Sequence, residues 1–334
     1  MARPIDEFVL AWSALSGDAA VDGWRSIPVA RAGPCVLRAG RHFPGNEEAL
    51  LAGFRDASVP SAERLPEGRG FEVSRADLHG DGKTWIALTR KESGSVELFA
   101  EMVGDVAGAM DAAVAGGDDA VLRALLTRVR AWQEFMRRGV QALSPEAELG
   151  LVGELAVIEG LLAAGLAPFA VVEAWVGPIG GVQDFNLGEG AIEVKATLSE
   201  RSFPARIGSL EQLDDGARRP LFLAGVRFSQ RESGRSLPDI AAQLSDLLGR
   251  FPETGQGFSD RLLAAGYHVS HAANYRRHFS LEAVRVLEVG EGFPRLVRGD
   301  IPDAITRVKY EADIDRIPGA NLGLGGALAK LGVV

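Results

Sequence analysis

Residues 183–198 constrain the fold more than any other stretch of this chain. Gln183-Asp184-Phe185 leads through Leu187-Gly188-Glu189-Gly190 into Ile192-Glu193-Val194-Lys195-Ala196-Thr197. Residues two apart on a strand project to one face. Glu193, Lys195 and Thr197 are therefore expected on one side, as a chemical face, and Ile192, Val194, Ala196 and Leu198 on the other, as core. The two glycines supply a tight reversal. That reversal places Asp184 on the neighbouring antiparallel strand, beside Glu193 and with an ammonium close by.

Two carboxylates held side by side repel unless one is protonated or a cation lies between them. A divalent ion answers this economically. Mg²⁺ takes oxygen ligands and keeps several waters, which suits Asp184, Glu193, the carbonyl of Val194 and a substrate phosphate. Mn²⁺ is the expected substitute. Lys195 is cationic and so is not a ligand; its expected role is to stabilise the attacking hydroxide or the charge developing on a phosphate. An acid and a lysine two apart on an exposed strand are also common as a simple surface pair, so the weight rests on Asp184 across the turn.

The arrangement Asp184-x8-Glu193-Val194-Lys195 resembles the PD-(D/E)XK nuclease superfamily, and most closely a bacterial family of it met near restriction and phage-defence genes. The resemblance is densest over residues 144–229 and extends more weakly to Phe293-Pro294-Arg295. Gln183 stands where the superfamily signature has proline, a position many members leave unfilled. The superfamily often sets a helical glutamate at its metal site, and Glu154 in Gly150-Leu151-Val152-Gly153-Glu154-Leu155 matches it. Ser144-Pro145-Glu146 opens that helix with an N-cap and a first-turn proline, and the helix is apolar almost all round. The competing reading of Glu154 is an acid reaching solvent or an arginine. A serine-leucine-x-glutamine-leucine stretch in the resembling family matches Ser209–Leu213, which marks Gln212 as supporting the site. Ser209 is the expected N-cap of a short helix there.

The resemblance implies an α/β (α+β) fold with a restriction-endonuclease-like core and a mixed central sheet flanked by helices, and the residues before it read as a β-rich N-terminal module. The expected order is helix, strand (170–176), strand, strand, short helix, strand, the last being 220–228. Residues 1–110 are read as the β-rich module, 111–143 as a helical connector, and 144–334 as the nuclease-like domain with a C-terminal α/β extension. Within the module, residues 68–75, 84–90 and 96–102 read as strands, with Asp77–Gly82 as the first turn. Leu122, Leu125, Val129, Trp132 and Met136 repeat at helical spacing, and Trp132 and Met136 are expected in core. Helices are expected from Leu237 and over 258–265, and strands within 277–289 and 300–313.

Composition frames the function. With 334 residues and 46% hydrophobic content, the chain has material for about two domains. One cysteine, Cys35, rules out an intrachain disulfide and fits a reducing compartment. The beginning lacks the form of a signal peptide and the longest apolar run is interrupted, so a cytoplasmic protein without a membrane partner is expected. The formal net charge of −9 argues against broad nucleic-acid affinity, although Arg201, Arg206, Arg218 and Arg219, and separately Arg276-Arg277-His278, form local basic clusters. His268, His271 and His278 lack a completing carboxylate or thiolate for zinc, and Gly323-Leu324-Gly325-Gly326 lacks the partners of a phosphate loop.

The resulting expectation is a Mg²⁺-dependent DNA endonuclease working in a restriction or phage-defence system. Its partners would be DNA, other defence-system proteins and, for double-strand cleavage, a second copy in a homodimer. The alternative is a non-catalytic DNA-binding or assembly subunit that keeps the fold. RNA or branched DNA as substrate is a third reading.

Overall fold

A computed structural model of the chain describes residues 5–17, 22–60, 62–78, 82–138 and 142–333. Two compact units divide it, Met1–Val140 and Gln141–Val334.

In the first unit, α1 (Ile5–Leu15) precedes β1 (Gly23–Ala32), β2 (Cys35–Phe43), β3 (Glu47–Phe54), β4 (Phe71–Ala76) and β5 (Thr84–Arg90), with α2 (Val96–Ala112) and α3 (Gly117–Arg138) following. The strands form an antiparallel sheet in the order β1-β2-β3-β5-β4. The interior strand β3 is buried at all but its first residue, as a strand covered on both faces must be. Residues 96–102, expected as a strand, are the first turns of α2. Ser95 caps that helix by accepting from Leu98 N, and the buried Phe99, Met102, Val103 and Val106 fall at helical spacing, a period the alternation reading overlooked. The segment 111–143, read as a connector, contributes α3 to this unit. Arg128 and Trp132 of α3 both bond to Asp105 of α2, and Trp132 is fully buried while Met136 is partly so. Residues His79, Gly80 and Asp81 of the expected first turn lie outside the described residues.

The second unit begins with α4 (Pro145–Ala163), capped by Ser144 as expected. It continues through α5 (Pro168–Ala174), β6 (Phe185–Leu187), β7 (Gly190–Thr197), β8 (Pro204–Ile207), β9 (Leu221–Arg235), α6 (Leu237–Leu248), α7 (Pro252–Ala264), β10 (Phe279–Val289), β11 (Tyr310–Asp313) and α8 (Gly323–Leu331). Its central sheet runs β10-β9-β7-β6. It is mixed: β9 pairs parallel with β7 and antiparallel with β10, while β6 and β7 form the antiparallel hairpin. β10 thus extends the nuclease-like sheet.

One expected strand is absent from this unit. Residues 170–174 fold as the body of α5, with Pro168 in its first turn, and Val171, Val172 and Ala174 buried while Phe169 is exposed. Only Trp175 pairs as a strand would, through an isolated bridge to Phe185. The β-branched valines pointed to a strand, but packing decided otherwise. Within 300–313 only β11 is a strand, paired with β8. Gly323–Gly326 simply start α8.

The helices cover one face of the mixed sheet, packing on Ile192, Val194, Phe222, Ala224 and Val226. The opposite face is also covered. Ala191, Leu221, Leu223, Leu287 and Val289 pack there against Phe203, Ala205, Ile207, Leu213, Ile314 and Ile317. The face carrying Glu193 is therefore not an open chemical surface. Glu193 is 1% exposed and Thr197 is buried, so the acid lies within a second apolar layer.

Candidate active site

The hairpin fixes the first contact. Phe185 stands opposite Ile192, so Asp184, one residue before β6, stands opposite Glu193. Asp184 Oδ2 accepts the Val194 N–H at 2.7 Å, taking the place of the ladder bond that β6 no longer supplies. A strand residue's carbonyl points to the same side as its N–H, which turns the Val194 carbonyl toward Asp184. The backbone carbonyl of Asp184 is held in turn by the N–H groups of Val176 and Gly177 at 2.9 and 3.0 Å.

Two glycines bring the helix and loop close. A Cβ on Gly153 would meet the Cβ of Ala196 at 2.8 Å, so only glycine lets α4 lie this near β7 and carry Glu154 to the hairpin. A Cβ on Gly177 would stand 2.8 Å from Asp184 Oδ1 and 3.5 Å from Glu154 Oε2. Both carboxylates therefore converge on the space that Gly177 leaves open. Glu154 Oε2 accepts from Trp175 Nε1 at 2.6 Å, and Arg261 Nε holds the Trp175 carbonyl at 2.8 Å.

Lys195 Nζ donates to Glu193 Oε1 at 2.6 Å and lies 3.4 Å from Gln212 Oε1. Gln212 Oε1 also accepts the Gly208 N–H at 2.7 Å, which fixes the amide. The expected short helix is a 3-10 turn at Leu210–Leu213, with Ser209 at its N-cap making no capping bond. Asp184, Glu193, Lys195, Glu154, Gln212 and the Val194 carbonyl thus meet at one place, while Thr197 instead accepts from Ser199 N. The expected basic clusters are partly engaged elsewhere: Arg277 pairs with the buried Glu148 at 2.7 Å, and Arg219 with Asp215 at 3.1 Å.

The electrostatics are those of a crowded anionic site. Burial, and then Asp184, push Glu154 up to about 8, against the opposing pull of the Trp175 bond and Lys195. Asp184 is raised by burial, against the Val194 N–H and Lys195. Glu193 is raised well above its ordinary value by burial and then by Asp184. Three carboxylates share one ammonium, and charges left so are costly in a dry site. Glu193 Oε2 is buried with no hydrogen-bond partner among the described residues, which native structures seldom leave unexplained.

A hard cation fits these donors, which are all oxygen: two carboxylates, one of them with the orphaned Glu193 Oε2, and a strand carbonyl. Among the described residues no three His, Cys, Asp or Glu side chains are grouped to hold an ion by themselves. The donors are accordingly the carboxylates of Asp184 and Glu193 with the Val194 carbonyl, the oxygen set that a hard divalent ion takes.

Sequence reasoning missed three contributors. Trp175 and Gly177 lay in a segment read as strand and loop, and only their approach to Glu154 and Asp184 marks them. Gln183, noted as a departure from proline, is buried and donates its amide Nε2 to the Glu211 carbonyl at 3.0 Å. It thereby ties the hairpin to the turn that carries Gln212.

Residues 9–315 match the model of a family described as "Putative PD-(D/E)XK family member, (DUF4420)". No curated protein and no solved structure matches the chain. No helix among the described residues is long and apolar enough to cross a membrane.

Proposed function

The chain belongs to this PD-(D/E)XK family, and from that premise we propose that it is a divalent-metal-dependent endonuclease that hydrolyses phosphodiester bonds in DNA. The observation that carries the proposal is the buried, unpartnered Glu193 Oε2 beside Asp184 and Lys195.

In this reading Asp184, Glu193 and the Val194 carbonyl hold Mg²⁺, with Mn²⁺ able to replace it. The ion would supply positive charge to the phosphate oxygens and acidify a water. The remaining roles fall to the chain. Lys195, steadied between Glu193 and Gln212, presents its ammonium to the pentavalent phosphorus as charge builds on it. Gln212, pinned by Gly208, keeps that lysine from swinging away. Glu154, tied to Trp175, backs Asp184 across the Gly177 gap and sets its orientation. Attack is in line with the departing oxygen.

A place in a restriction or phage-defence system, a cytoplasmic location, defence-system partners and a homodimer for double-strand cleavage all belong to the proposal, supported by the family resemblance. The net charge of −9 favours a second reading, a subunit that binds or assembles without cutting. RNA or branched DNA as substrate follows from the same chemistry.

Cleavage of DNA with Mg²⁺, comparing the wild type with Lys195→Ala and Asp184→Ala, tests the first reading. We expect both variants to lose activity by about 10²–10³-fold or more. Equal activity in all three, or a wild type without metal-dependent cleavage, would favour the non-catalytic subunit.

A further inference from the structure

A cavity of about 250 Å³ lies next to the acid cluster, with Val182, Gln183, Asn186, Asp214, Ala217 and Arg218 on its walls. It is built from the same two segments as the site. Gln183 precedes Asp184, and the Glu211 carbonyl that Gln183 holds precedes Gln212. Asn186 lies two residues along the edge strand from Asp184, about 7 Å away at the strand rise. By alternation it projects to the same sheet face.

The lining selects among ligands. Val182 is 54% exposed and offers an apolar surface at the mouth. Asn186 Oδ1 is buried without a hydrogen-bond partner among the described residues. Asp214 Oδ1 takes the Gly216 N–H at 2.9 Å, leaving its other oxygen for a donor, and Arg218 Nη1 donates to the Gly188 carbonyl at 3.1 Å. A phosphate in this cavity would face the Asp214 carboxylate. A purely apolar ligand would strand the carboxylate, amide and guanidinium. A flat heterocycle with donors and acceptors on its edge and an apolar face satisfies both kinds of wall, and those edge groups are what Asn, Asp and Arg side chains read in bases. The volume is below that of pockets for drug-sized ligands and suits a single base.

We propose that this cavity receives a single nucleobase, swung out of its stack, from the nucleotide next to the phosphate held at the acid cluster. The inference rests on the endonuclease reading and deepens it. Extrusion from a duplex costs a few kcal/mol and is easiest for unpaired or mismatched bases. The substrate class is therefore DNA with a single-stranded or weakly paired nucleotide at the cutting position.

The test is calorimetric binding to the full chain in Mn²⁺, comparing inorganic phosphate with the four 5′-deoxynucleoside monophosphates. At least one mononucleotide should bind about tenfold tighter than phosphate, the gain expected from stacking and edge contacts. Ala217→Trp fills the cavity from an exposed position and should erase that gain while leaving phosphate binding unchanged. Asp214→Asn keeps the oxygen that Gly216 needs and should reorder preference among the four bases. Mononucleotides no tighter than phosphate, or a gain that both variants leave intact, would overturn the base pocket while the metal site stands. Phosphate binding that does not need Mn²⁺ would overturn the endonuclease reading, and this inference with it.

Discussion

Glu48 and Glu193 are both buried glutamates on interior strands, one in each unit, and they differ in what reaches their second oxygen. Glu48 Oε1 meets Arg41 at 2.9 Å and Oε2 meets Arg90 at 2.7 Å, so the charge is matched and both oxygens are satisfied. Glu193 has one lysine on Oε1, nothing on Oε2, and two further carboxylates nearby. Glu148 lies between the two: Arg277 donates to its Oε2 and matches its charge, while its Oε1 is left bare among the described residues. The contrast teaches how a buried acid can be read. Where cations match it, it holds the fold; where it is under-supplied among like charges, the fold carries a cost that a bound cation would relieve.

The largest effect should separate the two in activity. Glu193→Gln should lower Mg²⁺-dependent cleavage by about 10²-fold or more, whereas Glu48→Gln should leave the turnover of folded protein within about twofold, since it lies outside the site. Stability should move the opposite way. Glu48→Ala leaves two nearly buried guanidinium groups unpaired and should cost about 3–5 kcal/mol in denaturant unfolding. Glu193→Gln removes a repelled charge and should be no less stable than the wild type. If Glu193→Gln destabilises as much as Glu48→Ala, the comparison fails.

The acid cluster should also make stability depend on pH. Glu154 sits at about 8 when folded against 4.5 ordinarily, so between those values the folded unit binds more protons than the unfolded chain. The stabilisation is fully present below pH 4.5 and is lost as pH rises through 8. Without metal, the melting temperature of the second unit should fall by about 10 °C or more across that window, and Mg²⁺ should flatten the decline. Glu154→Gln should lessen it without metal, leaving the share of Asp184 and Glu193. A metal-free profile that rises between pH 5 and 8 would contradict this.

The smallest effect concerns the tether. Gln183→Ala removes the bond to the Glu211 carbonyl, and should cost about 1–2 kcal/mol and lower cleavage several-fold by loosening the turn that carries Gln212. An unchanged rate would reduce Gln183 to a packing residue.

Much of the hairpin was legible because its determinants are local. Turn glycines, a period of two and the spacing from Asp184 to Glu193 set the register within about a dozen residues, and Ser144 and Pro145 marked the start of α4 in the same way. Local signals also misled. The valines of 171–172 pointed to a strand and formed α5, because Val171, Val172 and Ala174 reach the core together only on a helix. Residues 96–102 made the same substitution behind the Ser95 cap. The openness assigned to the Glu193 face was wrong too, since Phe203, Leu213 and Ile314, which pack over that face, come from segments up to 121 residues away in sequence.

By itself the sequence determined the acid pair, the lysine beside it, the helix that delivers Glu154 and the class of fold. The pair, the lysine and the helix follow from short-range periodicity and turn chemistry, and the class of fold from the family resemblance. Tertiary structure alone decided that Trp175 would bond Glu154, that Gly177 would leave a gap shared by two carboxylates, and that Gln183 would anchor the Gln212 turn. It also decided that one oxygen of Glu193 would be left bare. Each of these depends on how close separate segments approach, and that distance is set by the packing of whole layers rather than by any pattern along the chain.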